Sequence, residues 1–147
     1  RVSIRDLPTI LEGISEAIST TRSLMMITEH VRTRLARQLS NANANEFGVI
    51  PLVTLSPEWE HAFAESIIGE GDERQLAMAP TALQGFITKV RNVLEDLAVK
   101  GETAVLLTSP AIRPFVRSII ERFRPLTVVM SQNEIHPKAK IKTVGQI

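Results

Sequence analysis

No cysteine occurs in the 147 residues. Disulfides, thiol catalysis and cysteine-based zinc or iron–sulfur sites are therefore excluded, and a reducing compartment is compatible with that composition. Tyrosine is also absent, tryptophan occurs once and phenylalanine five times. So few aromatic faces leave little on which to stack bases, which disfavours single-stranded nucleic acid as a partner. Neither sign of charge dominates: 17 basic against 16 acidic side chains give a net charge of +1, with no global pull toward nucleic acid. Long apolar runs are missing as well. The longest charge-free run, 75–88, contains Pro80 and Gly85 and falls short of the roughly 18 to 20 apolar residues of a membrane span. The chain opens on Arg1 without a signal-like apolar stretch, so we expect a piece of a longer protein, any membrane segment lying outside it.

What is present suits a globular α/β chain, with 44% hydrophobic and 22% charged residues. The organising stretch is 103–135, TAVLLTSPAIRPFVRSIIERFRPLTVVMSQNEI. Residues 103–108 and 126–130 are short apolar runs of strand character. Between them Ile112, Phe115, Val116, Ile119, Ile120 and Phe123 recur at helical spacing, opposite Arg113, Arg117 and Arg124. Ser109 offers an N-cap with Pro110 at the first helical position, and Pro125 ends the helix. Two fully apolar strands joined by an amphipathic helix predict a right-handed βαβ crossover in a parallel sheet covered on both faces.

The remainder must supply that cover. Ser3 and Asp6 resemble a capping box, and Leu7, Ile10, Leu11, Ile14, Ala17 and Ile18 mark a helix over 5–18. After a break at Thr20, Thr21 and Ser23, Leu24, Ile27, Val31, Leu35 and Leu39 predict a second helix, with Arg32, Arg34 and Arg37 opposite. The pair forms a helical hairpin too small to bury both stripes alone. NANAN at 41–45 reads as a linker, which divides the chain into a helical subdomain, 1–45, and an α/β subdomain, 46–147. Residues 49–55 form a strand whose Pro51 argues for an edge position or a bulge. Ser56-Pro57 starts a helix lined by Trp59, Ala62, Phe63 and Ile67, and GEGDERQ at 69–75 forms a polar, mobile connector. Leu83, Phe86, Ile87, Val90, Leu94 and Leu97 predict the next helix, closed by a left-handed Gly101. With a last strand at 141–144, the order from residue 49 is β-α-α-β-α-β-β around a small mixed sheet. Charge is uneven: 49–101 carries four basic and eight acidic residues, 102–147 seven and three.

No catalytic constellation emerges. Ser56, Ser109 and Ser131 follow strands, where open α/β sheets carry ligands, but no G-x-S-x-G surrounds them and Ser-Pro is simply a good helix start. Gly69 and Gly71 follow a helix and lack the third glycine or lysine of a phosphate cradle. His30, His61 and His136 lack metal-ligand spacing, and the acidic pairs 58/60, 72/73 and 95/96 sit where solvation explains them. Neither a cofactor nor a metal is expected.

Several blocks carry a resemblance: VSIRDLPTILE at 2–12, ITEHVRTRLARQL at 27–39, PLVTLSPEWE at 51–60, VLLTSPAIRPFVRSIIERF at 105–123 and NEI at 133–135. In this order they are similar to the cytoplasmic C-terminal region of the FlhA family, the export-gate membrane proteins of the flagellar type III secretion apparatus. The resemblance implies an N-terminal membrane portion outside this segment, and a cytoplasmic region of four subdomains assembled as a nonameric ring. Residues 1–45 look like most of the third subdomain and 46–147 like the fourth, described as thioredoxin-like. Where an aromatic is expected before NEI, this chain has Gln132.

From this follows the expectation of a non-enzymatic module at the cytoplasmic face of the bacterial inner membrane. It would contribute to ring assembly and, through motion about a linker at 41–48, to gating of substrate and chaperone delivery. Arg32, Arg34 and Arg37 are candidates for contacts between ring subunits; Arg113, Arg117, Asn133 and Glu134 for surfaces facing other partners. Those partners are further copies of the chain, export-apparatus proteins and chaperone–substrate complexes, with nucleic acid excluded. The alternative is a small anion- or nucleotide-binding regulatory domain using the helix starts at Ser56 and Ser109.

Overall fold

The computed structural model describes residues 6–18, 24–69 and 74–147. The expectations placed on Ser3, on the break at Thr20 to Ser23 and on 70–73 of the polar connector lie outside the described residues. Three helices come first: α1 (Leu7–Ile18), α2 (Leu24–Arg34) and α3 (Ala36–Ala42). They are followed by β1 (Val49–Thr54), α4 (Pro57–Ser66), the two-residue strands β2 (Ile67–Ile68) and β3 (Gln75–Leu76), and the long α5 (Pro80–Val99). The chain finishes with β4 (Val105–Thr108), α6 (Arg113–Phe123), β5 (Val129–Ser131), a 3-10 turn at Gln132–Glu134 and β6 (Lys140–Gln146).

The main sheet runs β5-β4-β1-β6 and every pairing in it is parallel. The mixed sheet expected from the sequence is thus corrected: the antiparallel pairing is confined to β2 with β3, on either side of the connector. The first two of the three crossovers, β1 to β4 through α4 and α5 and β4 to β5 through α6, step the same way across the sheet, and the third, β5 to β6, returns past both central strands. Right-handed connections therefore place these helices on one face. There Phe63, Phe86, Val90 and Leu94 meet Val53, Leu106, Val116 and Ile120 in the larger core. Phe86 is the centre of an aromatic trio, 4.8 Å edge-on from Phe63 and 5.2 Å from Trp59. The other face of the same strands presents Ile50, Leu52, Val105 and Met130, and Leu35 and Leu39 cover them. The second layer predicted for a parallel sheet comes from the helical hairpin.

That packing explains why the helix expected over 24–39 is broken. Val31 lies against Gly13 of α1, where a Cβ would come within 3.1 Å of its Cγ2, whereas Leu35 and Leu39 must reach the sheet. Val31 also touches the sheet-side cluster, so the stripe bends where it passes from one target to the other. At Leu35 (φ −96°, ψ 17°) the chain turns, its N–H shared between the carbonyls of Val31 and Arg32 at 3.1 Å each, and α3 starts afresh. It runs on into the asparagine segment. Asn43 caps it by donating from Nδ2 to the Leu39 carbonyl at 2.8 Å, and the Asn45 Oδ1 accepts from the N–H groups of Phe47 and Val49 at 2.9 and 3.1 Å.

Other local expectations fare unevenly. Ser56 caps α4, its Oγ accepting from the Trp59 N–H at 3.4 Å, with Pro57 in the first turn. Gly101 (φ 79°) closes α5 in a Schellman motif: its N–H bonds the Ala98 carbonyl and that of Glu102 the Leu97 carbonyl. Ser109 does not cap α6. Residues 109–112 form a separate turn, Ile112 N–H to Ser109 O at 3.3 Å, and the helix opens at Arg113 with Pro114 in its first turn. Pro51 lies in a central strand, not at an edge; the β4 ladder begins only at Leu52, and β6 carries a register shift opposite Leu52 and Val53. Gly145 sits in that shift, where an added Cβ would be 3.3 Å from Val93 of α5.

Candidate functional site

Where the two core layers meet the end of β5, four charged side chains converge from segments remote in sequence. Ser131 leaves β5 extended and opens the 3-10 turn as a capping box, with Glu134 folding back toward the Ser131 N–H at 3.4 Å. The Glu134 carboxylate is 1% exposed. Arg32 of α2 grips it with both prongs, donating from Nε to Oε2 at 3.0 Å and from Nη2 to Oε1 at 2.9 Å. Arg113, 7% exposed at the start of α6, donates from Nε to the Val129 carbonyl at 3.1 Å and lies 3.4 Å from Glu134 Oε1. Its Nη1 reaches across to Glu29 Oε2 of α2 at 3.0 Å.

The quartet contains two guanidinium groups and two carboxylates, so it balances without a further ion. Burial raises the Glu29 carboxyl above its ordinary value; the Arg113 charge opposes the rise and the Glu134 charge adds to it. Burial also lowers the Arg113 pKa, with repulsion from Arg32 acting the same way. A neutral link lies alongside: Ser40 of α3 donates to the Glu134 carbonyl at 3.0 Å and accepts from the His136 N–H at 2.9 Å. Both α2 and α3 are thereby fastened to the turn that follows β5.

These positions correct part of the sequence reading. Arg113 and Glu134 are buried, and Arg32, half-buried, spends Nε and Nη2 on Glu134, so all three serve contacts within this chain. Arg34 lies on the surface between α1 and α2, 3.4 Å from Glu12 and 3.5 Å from Glu16. Arg37 and Asn133 are exposed, and Arg117 is half-buried beside Glu121 at 3.7 Å. The structure therefore brings Arg32, Arg113 and Glu134 together and leaves Arg34, Arg37, Arg117 and Asn133 apart from them. The sequence reading missed Glu29 and Ser40 altogether. For Glu134 a signal was present: Ser131-x-x-Glu134 after a strand has capping-box spacing.

Two depressions flank the sheet. One of about 810 Å³ at the amino ends of the strands is lined by Phe47, Val49, Leu94, Val105 and Leu126 among others. A shallower one of about 570 Å³ at the carboxyl ends involves Thr54, Glu60, His61, Ser109 and Gln132. In the second, Glu60 Oε1 already accepts from the Ser109 N–H at 3.0 Å, an acid occupying the place that an anion would need. Among the described residues no group of three or more His, Cys, Asp or Glu is placed to hold a metal ion, and no helix is long and apolar enough to cross a membrane.

Comparison with known proteins agrees with this architecture. Over all 147 residues the chain is 60% identical to the flagellar biosynthesis protein FlhA of Caulobacter vibrioides, of which it covers 21%. It superposes over its whole length on the C-terminal domain of InvA with a TM-score of 0.90 at 27% identity, covering 45% of that chain. The nonameric EscV cytosolic domain of a type III secretion system matches 99% of this chain with a TM-score of 0.77 at 26% identity, over 43% of its own length. The chain thus spans about a fifth of the curated relatives it matches. A family model described as FHIPEP matches residues 1–140, and the chain, whose relatives are flagellar biosynthesis and type III secretion proteins, belongs to the FHIPEP family.

Proposed function

We propose that this chain is a non-enzymatic module of a flagellar type III protein-export gate at the cytoplasmic face of the bacterial inner membrane, serving ring assembly and the gating of substrate and chaperone delivery. One observation carries the mechanical part: the quartet of Glu29, Arg32, Arg113 and Glu134 joins helical hairpin to sheet in a single packed unit. Sliding α2 over β5 would strand buried charges, each costing several kcal/mol or more. A unit joined in this way is suited to transmit motion as one body. In this reading the quartet, which lies away from 41–48, resists the motion about that segment that the sequence suggests.

Ring contact is assigned to the outer face of the hairpin. Arg37 is exposed and makes no ion pair among the described residues, and Arg34 has only surface partners, so these two are the candidates for subunit contacts. Arg117 and Asn133 remain candidates for contacts with export-apparatus proteins and chaperone–substrate complexes. The thioredoxin-like description of 46–147 belongs with these proposals; helices packed on a small sheet support it, and the all-parallel pairing departs from the mixed sheet it implies.

The test is assembly of the complete cytosolic region followed by sedimentation, with motility as the cellular readout. Arg37→Glu should reduce ring formation and motility while leaving the circular dichroism spectrum unchanged. Normal rings and swimming would remove Arg37 from the interface. The alternative, an anion- or nucleotide-binding domain, predicts amide shifts at Ser56 and Ser109 on titration with phosphate or nucleotide. The Glu60 carboxylate at the Ser109 N–H speaks against it.

A further inference from the structure

The last strand is also the longest of the main sheet, and it is one of the two edges, the three-residue β5 being the other. Lys140–Gln146 pairs with β1 on one side and ends the strand order on the other. Seven residues at about 3.3 Å each offer roughly 23 Å of edge, alternate backbone groups of which point away from β1. Side chains up to Thr143 are exposed, and Ile141 is 52% exposed. Register fixes the faces: Lys140 and Lys142 lie opposite Val49 and Pro51, and Ile141 lies opposite Ile50. Successive side chains alternate, so the two lysines mark one face of the edge and Ile141 the other. Lys138, Lys140 and Lys142 form no ion pair among the described residues.

We propose that β6 is a docking edge for an extended acidic segment of another protein, which would add to the sheet as a fifth strand. Main-chain hydrogen bonds to β6 would supply affinity. Acidic side chains at alternate positions would meet Lys140 and Lys142, and an apolar side chain between them would cover Ile141. Charge decides among occupants. A second copy pairing antiparallel about Ile141, the register that buries the two Ile141 side chains together, would set Lys140 against Lys142 of its partner, which is unfavourable; an acidic strand turns that repulsion into attraction. Lysines and the irregular register near Thr143 also serve as guards against indiscriminate pairing, and here the guard selects by sign.

The test uses the full chain, isotope-labelled, titrated with three seven-residue peptides: alternating Glu and Val, alternating Lys and Val, and the Glu peptide with proline at each Val position. The Glu–Val peptide should shift the amides of residues 138–146, protect outward-pointing amides of β6 from exchange, and bind about tenfold more weakly to Lys140→Glu/Lys142→Glu. The Lys–Val peptide should bind that variant in preference to the wild type. The proline peptide, unable to donate to a ladder, should give neither shifts nor protection. Absence of β6 shifts with the Glu–Val peptide would overturn the proposal. So would equal binding of the proline peptide, which would reduce the edge to a diffuse charge effect, or concentration-dependent dimerisation through β6, which would assign it to a second copy.

Discussion

Replacing Glu134 has a large consequence, because one buried and one half-buried arginine meet at its carboxylate. Replacing it by alanine leaves Arg32 and Arg113 facing each other without a shared counterion. A loss of about 3–5 kcal/mol is expected, read from the urea midpoint of the chain. Glu29 behaves differently. Its carboxyl is raised above 4.5, mainly by burial, so the folded chain binds that proton more tightly than the unfolded chain does. Stability from this group is fully present at low pH and is lost as pH rises from 4.5 through the raised folded value. Urea titrations across that window should show wild type gaining on Glu29→Gln as pH falls; a difference independent of pH would contradict the assignment. The capping-box spacing of Glu134 was legible in the sequence, but its pairing with the two arginines and the burial of Glu29 were not. Arg32 and Arg113 border the apolar stripes of their own helices, and periodicity alone does not say what an arginine at that border meets. The convergence spans about a hundred residues, which no local pattern encodes.

At the scale of elements, propensity and punctuation worked where a residue has one conformation to offer. Ser56-Pro57 and Gly101 behave as their chemistry dictates. Ser56→Ala should cost about 1 kcal/mol, and Gly101→Ala a similar amount because φ is 79° there; thermal melts of the two variants check both. They failed where tertiary packing chose between two acceptable starts. Ser109-Pro110 and Arg113-Pro114 both resemble first turns, and the second won with Ile112 fully buried and Glu60 bound to the Ser109 N–H. The break at Leu35 was equally hidden, since an unbroken apolar stripe and a stripe shared by two targets read the same. Of the two readings of Pro51, the edge position fails because β4 begins to pair only at Leu52, while a register shift does lie beside it, in β6 opposite Leu52 and Val53.

For the molecule as a whole, the parallel βαβ core and its need for a second layer were visible in the two apolar strands, and the hairpin provides that layer. What remained hidden was how firmly it is attached. Native-state hydrogen exchange should show α2, α3 and the strands β1, β4 and β5 opening together, with one common free energy. In Glu134→Ala the helices should exchange ahead of the sheet. If α2 already exchanges ahead of it in the wild type, the junction is looser than its hydrogen bonds imply, and a hinge at 41–48 is restored.

The turn at Leu35 has a further implication, for which changes in this chain can be inherited. Deleting or inserting one residue between Arg32 and Ser40 would swing everything upstream by about 100° around the helix axis. Glu29 and Arg32 would then point away from their partners while Ser40 kept its own. Point replacements in this stretch can be absorbed one at a time, but its length cannot drift. Exposed turns such as 124–128, between α6 and β5, escape that constraint, and natural size variation among relatives should collect in such turns.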